Sequence, residues 1–166
     1  MDIEEDATNF ARSNLHGPKV HVWGAISSRG KISLEIFTNN MTGESYTNIL
    51  KKKSPEMHMM YPEGFIFMHD NDPKHTSHVA GDYIKNNFDE VLGWPSYSPD
   101  INPIELIWSW LKRKVSMDVP KNVTELKSSI RRHWNSLTPV MIQKYIRELE
   151  NRYEWIVSNN GRDYTK

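Results

Sequence analysis

The segment Phe65-Ile66-Phe67-Met68-His69-Asp70 constrains the fold of this chain more than any other. It is bounded by Pro62-Glu63-Gly64 before and by Asn71-Asp72-Pro73 after. It is too short for a helix, so Phe65 to His69 reads as a buried strand that ends on an acid. A second acid, Glu105, follows after 34 intervening residues, in a proline-punctuated turn that leads into a helix: Trp94-Pro95-Ser96-Tyr97-Ser98-Pro99-Asp100-Ile101-Asn102-Pro103-Ile104-Glu105. A carboxylate at the C-terminal end of a strand and another in a helix's first turn can converge on one spot. Two such carboxylates bind a hard divalent cation, and a bound cation activates water against phosphodiesters.

The helix that begins there is the best marked in the chain. Asn102 is its expected cap, Pro103 suits its first position, and Glu105 stands where the acid of a capping box would. Ile104, Ile107, Trp108, Leu111 and Val115 recur at three- and four-residue steps and mark a buried face. Asn122 and Glu125 repeat the cap pattern, ahead of an apolar face of Leu126, Ile130, Trp134 and Leu137. After Thr138-Pro139, the residues Met141, Tyr145, Leu149 and Ile156 mark a last long helix. Upstream, Val20 to Ser27 and Lys31 to Phe37 read as a hairpin turning at Ser28-Arg29-Gly30. A helix is expected from Thr42-Gly43-Glu44 to about Lys53. Another is expected from Ser77 to Phe88, followed by a short strand at Val91-Leu92-Gly93. Residues 1–18 are polar and aperiodic and read as an arm ahead of a domain spanning 19–166.

Four segments carry a family likeness. Asp70-Asn71-Asp72-Pro73-Lys74-His75 resembles the Asp-Asn-x-Pro-x-His string of mariner-type (Tc/mariner superfamily) DDE transposases. Trp94 to Trp108 is similar to that family's Trp-Pro-x-x-Ser-Pro-Asp-x-Asn-Pro-Ile-Glu-x-x-Trp motif, at the family's spacing. Val22-Trp23-Gly24 looks like its Val-Trp-Gly strand, and Asn160 to Lys166 like its C-terminal tail. The resemblance runs over roughly residues 10–166. It implies an α/β (mixed) fold, an RNase H-like (retroviral integrase-like) sheet flanked by helices. It implies catalytic metal ligands at Asp70 and Glu105, with Mg²⁺ or Mn²⁺ as cofactor, and Asn71 and His75 as supports of the site. It further implies DNA, transposon ends and target, as partner, hence a nuclear location, and transposon end cleavage with strand transfer as the reaction.

The family uses three acids, and its first lies on a strand well upstream of Val-Trp-Gly. Asp2, Glu4, Glu5 and Asp6 have no hydrophobic strand around them, so that acid and its strand are expected to be absent, along with the family's DNA-binding helix-turn-helix modules. The expectation is a domain with impaired chemistry, or else an inactive remnant that binds DNA or protein and pairs with intact transposase. The strand bearing Asp70 would then keep an open edge and invite self-association.

Composition adds limits. Lys plus Arg equals Asp plus Glu at 21 each, so net charge alone gives no nucleic-acid signature. The basic residues are nevertheless clustered, and Lys112, Arg113, Lys114, Arg131 and Arg132 are the candidates to meet DNA; each cluster taken singly reads first as a solvated helix face. The absence of cysteine excludes disulfides and thiolate metal sites. His75 and His78 have the spacing of a helical metal pair, but no further ligand pattern accompanies them. No apolar run approaches the ~20 residues of a membrane span. Asp72 and Asp100 read as turn residues.

Overall fold

The computed structural model describes residues 19–95, 98–160 and 162, except for the Asp100 side chain. The arm read for residues 1–18 lies outside that range, as does most of the tail motif beyond Asn160. Strands β1 (His21–Trp23) and β2 (Ile26–Ser27) form one side of the hairpin, and β3 (Gly30–Lys31) and β4 (Glu35–Phe37) the other. β1 pairs antiparallel with β4, and β2 with β3. Ser28 and Arg29 make the turn, and Gly30 follows at φ 147°, a conformation that favours glycine.

The two expected long strands are each interrupted, and Gly24 shows why. A Cβ on Gly24 would lie 2.9 Å from the side chains of Leu34, Trp108 and Trp134. The backbone bends here to bring the hairpin against a pair of indoles stacked 5.3 Å apart. The Trp134 Nε1–H then donates to the Ile32 carbonyl at 3.0 Å, inside the interruption of the second strand.

Helix α1 (Gly43–Met60) opens with a capping box: Thr42 Oγ1 accepts the Ser45 N–H, and Ser45 Oγ accepts the Thr42 N–H. The expected end near Lys53 is wrong, because the helix continues through Pro55. Proline removes one helical bond and costs about 3 kcal/mol. The extension buries Met57 and holds His58 against Phe88, with the His58 Nδ1 2.8 Å from the Ser54 carbonyl. Burying a side chain such as Met contributes about 1.5–3 kcal/mol, so packing offsets the proline. Lys53 is itself buried, with its ammonium 2.6 Å from Ser33 Oγ and 2.9 Å from the Glu35 carboxylate of β4.

β5 (Ile66–Met68) and β6 (Glu90–Leu92) pair in parallel through the crossover helix α2 (His78–Asn87), which Ser77 caps. The reading of Phe65 to His69 as a wholly buried strand does not hold. Phe67 is buried and stacks on Phe88 at 4.5 Å, but Ile66 on the opposite face is 56% exposed. Val91 and Leu92 of β6 are exposed too. Among the described residues no strand pairs with the outer edge of β5. A strand is covered on both faces only when both neighbours and both helix layers are present.

A 3₁₀ turn (Pro99–Ile101) leads into α3 (Pro103–Asp118), α4 (Val123–Ser136) and α5 (Pro139–Ser158). The apolar faces expected for α3 and α4 are buried as read. In α5 the buried pair is Ile142 and Leu149, while Met141, Tyr145 and Ile156 are only half-buried. This helix touches both α3 and the hairpin, so its apolar stripe is divided between two neighbours.

Strand alternation builds two cores, one on each side of the hairpin. Val20 and Val22 join Trp108, Trp134 and Leu137 on the α3–α5 side. Trp23 joins Tyr46, Leu50 and Phe67 on the α1–α2 side. Gly24→Ala should therefore lower stability by about 1–3 kcal/mol, since the aromatic pair leaves no room for a methyl. Urea denaturation measures this; an unchanged midpoint would show that the indoles yield freely.

Candidate active site

Asp70 stands two residues beyond β5, where the chain turns sharply. Its Oδ1 accepts the His75 Nδ1–H at 2.5 Å and the Asp72 backbone N–H at 3.1 Å. The turn is closed by the Asp72 carbonyl, which takes the N–H groups of His75 and Thr76, while Asp72 Oδ1 takes that of Lys74. Asp72 is thus the turn residue the sequence suggested. His75 is only 1% exposed, and its ring centroid lies 4.1 Å from that of Tyr46 on α1. Its Nε2 is buried without a hydrogen-bond partner among the described residues.

This environment sets the charge of the acid. Burial pushes the Asp70 carboxyl up, but the hydrogen bond and charge of His75 and the Asp72 N–H outweigh it. The carboxyl is held well below the usual carboxylate range. His69 goes the opposite way for an imidazole: burial first, then repulsion from His75, lower it to about 4 against the attraction of Asp70. Burial and the Asp70 charge together raise the Tyr46 hydroxyl. The site therefore presents an ionised carboxylate beside a neutral His69 and a neutral phenol.

Asn71 joins the two motifs directly, because its Nδ2–H donates to the Trp94 carbonyl at 2.6 Å. It braces one loop against the other.

Glu105 is half-buried in the first turn of α3. The capping box expected around it takes another form. Asn102 Oδ1 accepts the Ile104 N–H at 3.3 Å, and the Asn102 N–H donates to the Pro99 carbonyl at 3.1 Å. The 3₁₀ turn has claimed the donor that a capping-box glutamate would satisfy. Asp70 and the start of α3, at Asn102, Pro103 and Ile104, line one cavity of about 560 Å³. The fold thus brings the end of β5 to the helix turn that carries Glu105, and a helix N-terminus favours anionic side chains. Carboxylate oxygens are the donors that Mg²⁺ and Mn²⁺ take, and an ionised Asp70 suits them. Among the described residues, however, no three His, Asp or Glu groups are arranged to hold a metal ion. His75 and His78 diverge: one faces Asp70, the other is exposed and meets Asp82.

The basic candidates are distributed unevenly. Lys112, Arg113 and Lys114 are consecutive on α3, about 100° apart, and only Arg113 is exposed. On α4, Arg131 is exposed, whereas Arg132 pairs with Asp118, the residue that also accepts from Ser129 and His133. Arg132 thereby ties α4 to the end of α3. Tyr46 and the Asn71–Trp94 bond were not apparent in the sequence. Both are long-range contacts for which a local pattern gives no signal.

A parallel β–α–β unit, an antiparallel hairpin and helices on two sides, with an acid at a strand end, define an RNase H-like domain. The catalytic domain of Mos1 mariner transposase shares this fold, with a TM-score of 0.80 at 21% identity over 89% of this chain and 77% of that one. The profile of the DDE superfamily endonuclease family matches residues 4–127, and the chain belongs to that family, on its Tc/mariner transposase branch. Transposable element Tc3 transposase of Caenorhabditis elegans is 31% identical over 163 residues, covering 96% of this chain and 50% of its own. Transposable element Tc1 transposase of the same organism is 31% identical over 146 residues, covering 87% and 54%. The chain thus spans about half the length of these relatives. Mos1 has also been solved as a paired-end complex with Mn, at TM-score 0.75 and 24% identity, over 93% of this chain and 48% of that one.

The Asp70–His75 bond should appear as an energetic coupling. In a double-mutant cycle of Asp70→Asn with His75→Phe, unfolding free energies should couple by about 1–3 kcal/mol. Additive losses would mean that the imidazole merely fills space.

Proposed function

We propose that this chain is a transposase catalytic domain that acts on DNA in the nucleus by divalent-metal-dependent phosphoryl transfer, the chemistry of transposon end cleavage and strand transfer. Asp70 and Glu105 serve as its two carboxylate ligands. The observation that carries the reading is the shared cavity: an ionised Asp70 at the end of β5 opens onto the same space as the first turn of α3. A bound Mg²⁺ or Mn²⁺ would supply Lewis acidity and an activated water there. The protein's part is to keep Asp70 ionised through His75, to fix the two loops through Asn71, and to present Glu105 on a rigid helix. Exposed Arg113 and Arg131 offer charge to a phosphate backbone.

With two carboxylates and no third ligating group among the described residues, the domain binds metal weakly and its chemistry is impaired. The same observation favours a second reading, an inactive transposase-derived module that binds DNA or an intact transposase.

Titration calorimetry with Mn²⁺ and Mg²⁺ tests the assignment. Affinity should fall at least about tenfold in both Asp70→Asn and Glu105→Gln, a loss of about 1.4 kcal/mol. Nicking of supercoiled DNA should be slow in the parent chain and abolished in either variant. Metal binding that survives both substitutions would remove Asp70 and Glu105 from the site. DNA binding without metal binding would establish the second reading.

A further inference from the structure

A hydroxyl residue directly before proline occurs three times in the chain: Ser54-Pro55, Ser98-Pro99 and Thr138-Pro139. The residue before a proline favours extended backbone, and the proline itself has no N–H to satisfy. In an exposed turn such a pair suits a proline-directed protein kinase. The acceptor hydroxyl must stand clear of its own backbone to line up with the phosphorus it attacks.

The structure separates the three pairs. Ser54 lies inside α1, 7% exposed, with its Oγ 2.8 Å from the Tyr83 hydroxyl. Ser98 is half-buried at the head of the 3₁₀ turn. Thr138 is exposed and extended, at φ −99° and ψ 157°, in the turn that Leu137 and Thr138 make between α4 and α5. Pro139 and Val140 beyond it are exposed as well, while Leu137 is buried and anchors the turn.

The surroundings of Thr138 suit a phosphate. Its Oγ1 caps α5 by accepting the Met141 N–H at 3.3 Å. Lys31 of β3 reaches the same turn, where its ammonium donates to the Leu137 carbonyl at 2.5 Å and the Asn135 carbonyl at 3.2 Å. The Leu137 carbonyl belongs to the peptide bond that Thr138 completes. Among the described residues no carboxylate pairs with Lys31, whose pKa burial lowers. No Asp or Glu occurs between Glu125 and Glu148, whereas Lys127, Arg131, Arg132, Lys144 and Arg147 do.

We propose that Thr138 is a phosphorylation site for a proline-directed protein kinase, and that its phosphate is seated between the Lys31 ammonium and the first turn of α5. In the transfer, Thr138 Oγ1 bonds to the γ-phosphorus of a nucleoside triphosphate, and the bond from that phosphorus to the bridging oxygen breaks. The nucleoside diphosphate leaves, and the hydroxyl proton passes to a base of the kinase. One neutral acceptor at a helix N-terminus is thereby replaced by three charged ones, and Lys31 gains a counter-ion. Lys31 belongs to the hairpin, and Gln143 of α5 already donates to the Ser28 carbonyl at 2.9 Å. Phosphorylation therefore tightens the junction between the hairpin and α5. The inference requires no chemistry at Asp70, so it stands apart from the nuclease reading.

The folded full chain, incubated with a proline-directed kinase and Mg-ATP and mapped by mass spectrometry, tests it. Phosphate should appear on Thr138. Thr138→Asn keeps a good helix cap without a hydroxyl, so it should fold and take up no phosphate. Pro139→Ala should lower kcat/KM of the kinase at least about tenfold. Phosphorylation should raise the Tm by about 2–4 °C. In Lys31→Met, read against its own unphosphorylated Tm, most of that rise should vanish. Phosphate on Ser54 or Ser98 instead, or uptake only after the chain is unfolded, would overturn the proposal. So would an unchanged rate for Pro139→Ala, a Tm that does not rise, or an undiminished rise in Lys31→Met.

Discussion

Trp108 and Trp134 stack at 5.3 Å, and Gly24 approaches them so closely that a single methyl would collide with both. Much of the placement of the site depends on this contact. It presses the hairpin onto α3 and α4, and so sets where α3 begins relative to the sheet. Because α3 begins there, Asn102 to Ile104 face the cavity that Asp70 also lines. Two buried indoles represent a large share of the available hydrophobic free energy, since truncating one Trp typically costs about 3–5 kcal/mol. That free energy holds in register two segments that are far apart in the chain.

Elements with a strong local signal were readable before the structure. The faces of α3 and α4 follow the three- and four-residue spacing because each packs along one dominant seam. The hairpin followed from its turn residues. The departures have physical causes of one kind, in which tertiary contacts override a local rule. Pro55 should end a helix, but the packing of Met57 and His58 carries α1 past it. Glu105 should close a capping box, but the 3₁₀ turn at Pro99 takes the Asn102 N–H first. Met141 should anchor α5, but that helix serves two neighbours and centres its buried pair on Ile142 and Leu149.

The candidate site divides the same way. Asp70 and Glu105 stood out because each ends a patterned run, and the fold does bring the end of β5 to the start of α3. What the sequence could not show is how Asp70 is kept charged. His75 lies five residues on and could as well have served a turn; only the fold places its Nδ1 on Oδ1 and seals its ring against Tyr46. Similarly, Asn71 follows Asp70 in a turn-forming string, and its bond to the Trp94 carbonyl appears only when the two loops meet.

These contacts leave the molecule unevenly supported. The α3–α5 core closes against Val20 and Val22, and the α1–α2 core closes against Trp23 and Phe67. Among the described residues the sheet is not continuous between β1–β2 and β5, and the two sides are bridged at one end by Ser28, Arg29, Tyr61 and Glu63. Those bridges are exposed polar contacts, which contribute little individually. One hydrophobic core therefore holds Trp23 and Phe67, on the two sides of that gap, together, and the polar bridges add little to it.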